Sequence, residues 1–63
     1  MQQETITPQR FIGTFRRFGP VGPVYEVISL LPGRDQFMRV RVIETGEEVD
    51  YPLTQIIDDP REG

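Results

Sequence analysis

The most informative pattern along the chain is an alternation of apolar and polar residues in two runs, 37–43 and 48–53, around a turn that contains Gly46. Successive side chains of a β-strand point to opposite faces, so each run predicts a strand with one apolar face. Two such strands around a short glycine-containing turn are typical of a β-hairpin. The residues predicted to share the buried face are Met38, Val40, Val42, Val49, Tyr51 and Leu53.

The register of this hairpin follows from keeping the apolar residues on one face. A slip by one residue would place Arg41 opposite Val49 on the buried side, so we exclude it. The loop then has two residues, 45–46, or four, 44–47, and we favour the longer loop because Thr45 is a poor residue for the positive φ of a tight turn. The predicted pairs are Val42 with Val49, Val40 with Tyr51, Met38 with Leu53 and, on the outer face, Arg41 with Asp50.

Three further segments have the pattern of regular elements. Residues 10–18 mix aromatic and β-branched residues and predict a strand, in which Gly13 marks a bulge or a close backbone approach. Residues 24–31 are the most apolar run and predict a central strand, covered on both sides or bent between two sheets. Residues 54–59 predict one or two helical turns that end at Pro60.

The segments between these elements are turns by composition. Residues 19–23, Gly-Pro-Val-Gly-Pro, predict an irregular loop that leaves Val21 exposed. This loop is either a plain turn or a rigid apolar recognition loop flanked by Phe18 and Tyr25. Residues 32–35 predict a second turn, which leads into the hairpin.

Together these segments predict a mainly β fold, a small four- to five-stranded antiparallel meander with a short C-terminal helix. The sheet is expected to be either curled or closed into an SH3-like barrel, since closure would protect its edges. A chain of 63 residues has room for one domain. We expect that domain at residues 10–60, with a flexible tail at residues 1–9 and a tail at residues 61–63.

Composition excludes most chemistry. The chain has no Cys and no His, so it lacks a disulfide framework and the usual zinc ligands, and we expect neither a metal nor a cofactor. Its seven basic residues are all Arg, so the usual catalytic bases and activated nucleophiles are missing, apart from Ser29 inside an apolar strand. We therefore expect a protein that is not an enzyme. No apolar run approaches the roughly 20 residues of a membrane span, and the first residues lack the pattern of a signal peptide, which favours the cytoplasm.

The net charge of −3 is distributed unevenly. Residues 10–43 contain six Arg and two acids, whereas residues 44–63 contain seven acids and one Arg. An acidic region of this kind can dock on a basic protein or imitate the charges of phosphates. Its adjacent acids are expected to be solvated. The candidate partner-binding residues are Glu44, Glu47, Glu48, Asp50, Asp58 and Asp59.

A nucleic-acid-binding face is a second candidate. Phe37, Arg39 and Arg41 project from one face of their strand, and Arg16 and Arg17 are candidates to join them. Aromatic residues interleaved with Arg on a sheet are typical of small barrels that hold single strands. The acidity of the chain and the acids of the neighbouring strand weigh against this interpretation.

Several short motifs carry a resemblance to a known family. They are Arg-Phe-Gly-Pro-Val-Gly-Pro-Val-Tyr-Glu-Val at residues 17–27, Arg-Val-Ile-Glu-Thr-Gly-Glu at 41–47, Asp-Tyr-Pro-Leu at 50–53 and Asp-Asp-Pro at 58–60. With these motifs the chain resembles an uncharacterised family of short bacterial proteins, and the resemblance implies no catalytic or binding residues. The strand layout is also similar to that of small SH3-like bacterial proteins found beside toxin genes, which implies an accessory or antitoxin-like role.

These observations predict a non-enzymatic module that binds a protein partner through its acidic C-terminal third or a strand edge, with a homodimer left open. One alternative is a small barrel that binds single-stranded nucleic acid. The other is an acidic, phage-type inhibitor that blocks a basic nucleic-acid-binding groove. No membrane partner is expected.

Overall fold

The computed structural model describes residues 7–62, which form one antiparallel sheet with a short helix across one face. Of the predicted tail at residues 1–9, residues 1–6 lie outside the described residues, whereas Pro8 and Gln9 belong to the first helical element. The strand order β1-β2-β3-β4 is the predicted meander, and the sheet is open rather than closed into a barrel. No helix within residues 7–62 is long and apolar enough to cross a membrane. The elements are a 3₁₀ helix at Pro8–Phe11, β1 at Phe15–Arg17, β2 at Val24–Leu30, β3 at Phe37–Val42, β4 at Glu48–Pro52 and α1 at Leu53–Asp58.

The core lies between the inner face of the sheet and α1. Four fully buried side chains come from the two central strands, and Ile56 of α1 packs against them. The alternation of β2 and β3 produces this face, because every second residue points toward the helix. The fully buried residues of the two strands are Tyr25, Val27, Met38 and Val40.

The hairpin of β3 and β4 confirms the predicted faces but not the predicted register. Arg39, not Arg41, lies opposite Asp50, so the pairing is displaced by two residues. A shift of two leaves every side chain on the same face, and burial therefore cannot choose between the two registers. The loop keeps four residues but spans 43–46, which places Gly46 at its last position with a φ of 75°.

The first predicted strand, residues 10–18, is correct at only three of its nine positions. Its beginning is part of the 3₁₀ helix, and only Phe15–Arg17 pair with β2 as β1. Proline fixes a φ suited to the first turn of a helix, so Pro8 favours this start. Gly13 connects the two elements with a φ of 85° and donates a 2.8 Å hydrogen bond to the carbonyl of Val27. A Cβ at Gly13 would have no neighbour within 4 Å, so backbone conformation rather than close packing favours glycine there.

The second strand is central in the sheet, as predicted, and pairs with β1 and β3. The pairing shifts between Val27 and Ser29, which indicates a β-bulge at Ile28. Only the inner face of the strand carries fully buried residues, so the expected cover on both sides is not observed.

After α1 the chain reaches the β1 edge of the sheet, opposite the β4 edge from which the helix starts. The predicted helix is present as six residues, Leu53–Asp58, and Asp59 follows it as the C-cap. The amide of Arg17 then donates to the carbonyl of Pro60 at 3.0 Å, and the amide of Glu62 donates to the carbonyl of Phe15 at 2.8 Å. The described part of the predicted tail at 61–63 therefore extends the sheet beside β1.

Candidate functional site

A buried carboxylate joins three parts of the fold. Asp59 is 6% exposed, and its Oδ2 accepts hydrogen bonds from the hydroxyls of Tyr25 at 2.7 Å and Tyr51 at 2.9 Å. Its Oδ1 accepts a 3.1 Å hydrogen bond from the amide of Gly19. Asp59 was expected to be a solvated member of an acidic surface, and that expectation is wrong.

The two tyrosines form an aromatic cluster with Phe18. The Phe18 ring lies 4.3 Å from that of Tyr25 and 5.0 Å from that of Tyr51. Burial, with the hydrogen bond to Asp59, raises the pKa of Tyr25 well above its ordinary value and the pKa of Tyr51 to about 12. Both hydroxyls therefore remain donors at neutral pH. Every partner of this carboxylate belongs to the fold, so the cluster acts as a structural clamp.

Sequence reasoning missed this cluster, although one signal was present. Tyr51 was predicted on the core face of the hairpin, and a buried tyrosine hydroxyl needs a hydrogen-bond partner. The identity of the acceptor depends on how the chain crosses the sheet after α1, which local pattern does not specify.

Arg16 also differs from its predicted position. It is 9% exposed, and its Nη1 donates to the carbonyls of Ile56 at 3.1 Å and Asp59 at 3.0 Å. The last carbonyls of a helix have no partner within the helix, so Arg16 caps the C-terminus of α1. It therefore does not lie with Arg39 and Arg41 on the outer face of the sheet.

The outer face is a network of alternating charges. Arg41 lies 2.9 Å from Glu26 across β2 and β3, in place of its predicted partner Asp50. Arg39 lies 3.1 Å from Asp50 and 3.6 Å from Glu48. Arginine and acid therefore neutralise each other along the middle of the predicted nucleic-acid face.

Phe37 and Arg17, the two remaining members of the predicted nucleic-acid face, each contact a nearby charged residue. The guanidinium of Arg34 lies 4.3 Å from the centre of the Phe37 ring, and it pairs with Asp50 at 2.8 Å. Arg17 pairs with Glu62 at 2.8 Å at the edge of β1. The structure thus brings Phe37, Arg39 and Arg41 together on β3, and it places Arg17 on the same face of the sheet but two strands away, at the β1 edge.

The six candidate acids do not form one surface. Glu48 and Asp50 belong to the outer-face network, Asp59 is buried, and Asp58 is exposed on α1. Glu44 and Glu47 are exposed at the tip of the hairpin, and no ion pair within residues 7–62 involves them.

The loop of residues 19–23 lies beside this tip, since the amide of Ile43 donates to the carbonyl of Val24 at 3.0 Å. Val21 is 93% exposed, as predicted, and Ile43 is 47% exposed. We refer to Val21, Ile43, Glu44 and Glu47 as the hairpin-end surface. It combines two apolar side chains with two acids that form no ion pair among residues 7–62.

Several contacts hold the 19–23 loop in one conformation. The amide of Phe18 donates to the carbonyl of Pro23 at 3.1 Å, and Nη1 of Arg17 donates to the carbonyl of Gly22 at 3.2 Å. A Cβ at Gly22 would lie 2.0 Å from the carbonyl oxygen of Phe18, so no larger residue fits there without a shift. Tyr25 lies in the core and Phe18 packs against it, so the two rings do not extend an apolar surface around the loop.

Two cavities lie beside these clusters and share residues with them. A groove of about 310 Å³ between the 3₁₀ helix and the turn after β2 is lined chiefly by apolar residues, among them Leu30 and Phe37. A pocket of about 280 Å³ beside β1 is lined by Arg10, Phe11, Thr14, Arg16 and Arg61.

Within residues 7–62 no group of three acidic side chains could hold a metal ion.

Comparison with known proteins agrees with the resemblance seen in the sequence motifs. No curated protein matches the chain. Residues 3–63 match a protein family of unknown function, DUF5397, and the chain belongs to that family.

Proposed function

We propose that this protein is a non-enzymatic cytoplasmic module of accessory or antitoxin-like type, which binds a basic protein partner through the hairpin-end surface. The observation that carries the proposal is the exposure of Val21, at 93%, on a loop that is fixed on both sides. An apolar side chain in a rigid, exposed position is available to a partner without local rearrangement.

The rigidity of the loop favours binding energetically. Burial of a valine side chain contributes about 1.5–3 kcal/mol. A flexible loop would lose part of this gain, because ordering costs about 0.5–1.5 kcal/mol for each immobilised side chain. The contacts of the loop backbone with Asp59, Arg17 and Phe18 already order the loop, so binding loses less of this gain.

The acids beside the loop favour a basic partner. Glu44 and Glu47 are exposed and form no ion pair among the described residues, so their charge is available to a partner. Charges at the rim of an interface mainly accelerate association, and salt screens this effect. The paired arginines of the outer face favour this partner over single-stranded nucleic acid.

The exposed edge of β4 is a weaker candidate. Pro52 has no backbone donor, and Glu48 and Asp50 place charge along the strand. Proline and charged residues protect edge strands against pairing with another chain. This arrangement favours the hairpin-end surface over strand addition.

The experiment is capture of partners from nuclease-treated lysate of the source cell, followed by kinetic measurement with the purified partner. We expect E44Q/E47Q to slow association, with the largest effect at low salt. We expect V21S to accelerate dissociation with little change in association.

A matched control is available on the helix. Ile57 is 45% exposed next to the exposed Asp58, so I57S/D58N changes the same residue classes outside the hairpin-end surface. This variant should bind as the wild type does. A partner whose binding is unchanged by V21S and E44Q/E47Q, or reduced equally by I57S/D58N, would refute the proposal.

A further inference from the structure

We propose that the pocket beside β1 binds the phosphate group of a small phosphate monoester. Its volume is about 280 Å³, and three of its five lining residues are arginines. This site shares no residue with the hairpin-end surface, so it stands independently of the function proposed above.

The first observation is a buried donor without an acceptor. Arg16 is 91% buried, and its Nη1 is satisfied by two carbonyls at the end of α1. Its Nε is buried and has no hydrogen-bond partner in the part of the chain that the structure describes. Leaving a buried charged donor unpaired is costly, so a protein rarely retains one without a role for it. Arg16 is one of the residues that line the pocket, so an anion bound there would compensate its positive charge.

The second observation is an excess of positive charge. Arg61 lies directly opposite Arg16 in an antiparallel bridge, and Arg10 lines the same pocket. Like charges in directly opposed positions are destabilising. Within residues 7–62 no carboxylate lines the pocket, and no ion pair among these residues involves the three arginines. An anion in the pocket would relieve this repulsion.

The chemistry of the lining favours a phosphate. Guanidinium groups present paired donors that match phosphate oxygens, and a dianion compensates more positive charge than a single carboxylate does. The Thr14 hydroxyl already donates to the carbonyl of Phe11 at 2.6 Å, so arginines supply the free donors. The Phe11 ring, 5.1 Å from the Arg16 guanidinium carbon, forms an apolar wall.

The size of the pocket indicates more than a free ion. A volume of about 280 Å³ corresponds to roughly nine water molecules at about 30 Å³ each. This leaves space for an organic group beside the phosphate. The Phe11 wall would receive that group.

The test uses the full chain labelled with ¹⁵N and three probes: phenyl phosphate, inorganic phosphate and phenol. We expect phenyl phosphate to bind saturably and to shift the Nε–H resonance of Arg16 together with the amide resonances of Thr14 and Arg61. Inorganic phosphate should bind at the same resonances at least about tenfold more weakly, and phenol should cause no shift there. Equal affinity for phosphate and phenyl phosphate, or binding of phenol at this site, would overturn the assignment to a monoester.

Variants separate the pocket from general charge effects. Arg16 supports the helix, so the test uses the exposed Arg10 and Arg61 instead. R10Q/R61Q should weaken phenyl phosphate binding by about tenfold or more, whereas R39Q/R41Q, with the same loss of charge on the outer face, should change it less than about twofold. Equal weakening by both double variants, or no saturable binding to the wild type, would overturn the proposal.

Discussion

The hydroxyl of Tyr25 donates a 2.7 Å hydrogen bond to Oδ2 of Asp59, which lies 34 positions further along the chain. This contact connects the central strand β2 to the residue that ends α1. Tyr51 of β4 donates to the same oxygen at 2.9 Å. One carboxylate thus sets how the helix lies across the sheet, and the adjacent loop uses its other oxygen through Gly19.

Replacing this carboxylate should destabilise the fold strongly. The D59N variant loses the charged acceptor that two tyrosine hydroxyls share, and a buried hydrogen bond to a charged group contributes about 1.5–3 kcal/mol. We expect the free energy of unfolding in urea to fall by about 2–3 kcal/mol. The adjacent D58N provides the control, since Asp58 is exposed and its replacement should change stability by less than about 0.5 kcal/mol. Similar losses from the two variants would contradict the role assigned to Asp59.

The raised pKa values of the two tyrosines predict that the stability of the fold decreases at alkaline pH. Their folded-state pKa values are raised, for Tyr51 to about 12, above the value of about 10 in an unfolded chain. The folded protein therefore holds these protons more tightly than the unfolded chain does. The stabilisation that the two hydroxyls contribute is fully present below about pH 10 and decreases as the pH rises toward 12. The chain has two Tyr and no Trp, so near-ultraviolet absorbance reports tyrosinate directly.

We expect tyrosinate to form together with the loss of far-ultraviolet circular dichroism, in a single transition. D59N should move that transition to lower pH, because it removes the acceptor that both hydroxyls use. Formation of tyrosinate near pH 10 in a chain that is still folded would show that the two hydroxyls are not held as described.

The sequence was sufficient to predict the faces of the sheet but not how its parts align. Burial of Met38 and Val40 follows from alternation alone, and the four-strand order follows from the short connections between consecutive strands. The register does not, because a shift of two residues leaves the same side chains buried. The position of Gly46 in the loop is what distinguishes the two pairings.

The candidate sites were predicted less well, because they depend on contacts between distant segments. Arg16 and Asp59 both appear in the sequence as ordinary charged residues. They are buried because the chain crosses the sheet after α1 and returns beside β1. In contrast, the exposure of Val21 follows from the local proline and glycine pattern and was predicted correctly.

The helix should contribute to stability mainly through one residue. Ile56 is fully buried against the sheet, whereas Ile57 is 45% exposed. Truncation of a buried isoleucine leaves a cavity and costs about 2–5 kcal/mol. We expect I56A to lower the free energy of unfolding by about 2–4 kcal/mol and I57A by less than about 1 kcal/mol, measured by urea titration. Comparable losses would show that α1 does not present Ile56 to the core.

The observed register can be tested through the charges of the outer face. Arg39 and Asp50 form an ion pair at 3.1 Å with partly exposed side chains, whereas Arg41 pairs with Glu26. A double-mutant cycle with R39Q and D50N should give a coupling free energy of about 0.2–1 kcal/mol. The same cycle with R41Q and D50N should give a value near zero.

Two features make this comparison of coupling free energies specific for the register of β3 and β4. Arg34 also contacts Asp50 at 2.8 Å, but the cycle subtracts every interaction of Asp50 that R39Q leaves unchanged. The coupling should decrease in about 1 M salt, where the Debye length is about 3 Å. A larger coupling of Asp50 to Arg41 than to Arg39 would instead support the register predicted from the sequence, in which Arg41 lies opposite Asp50. That result would also move the hairpin loop to residues 44–47, and with it the position of Glu44 in the hairpin-end surface.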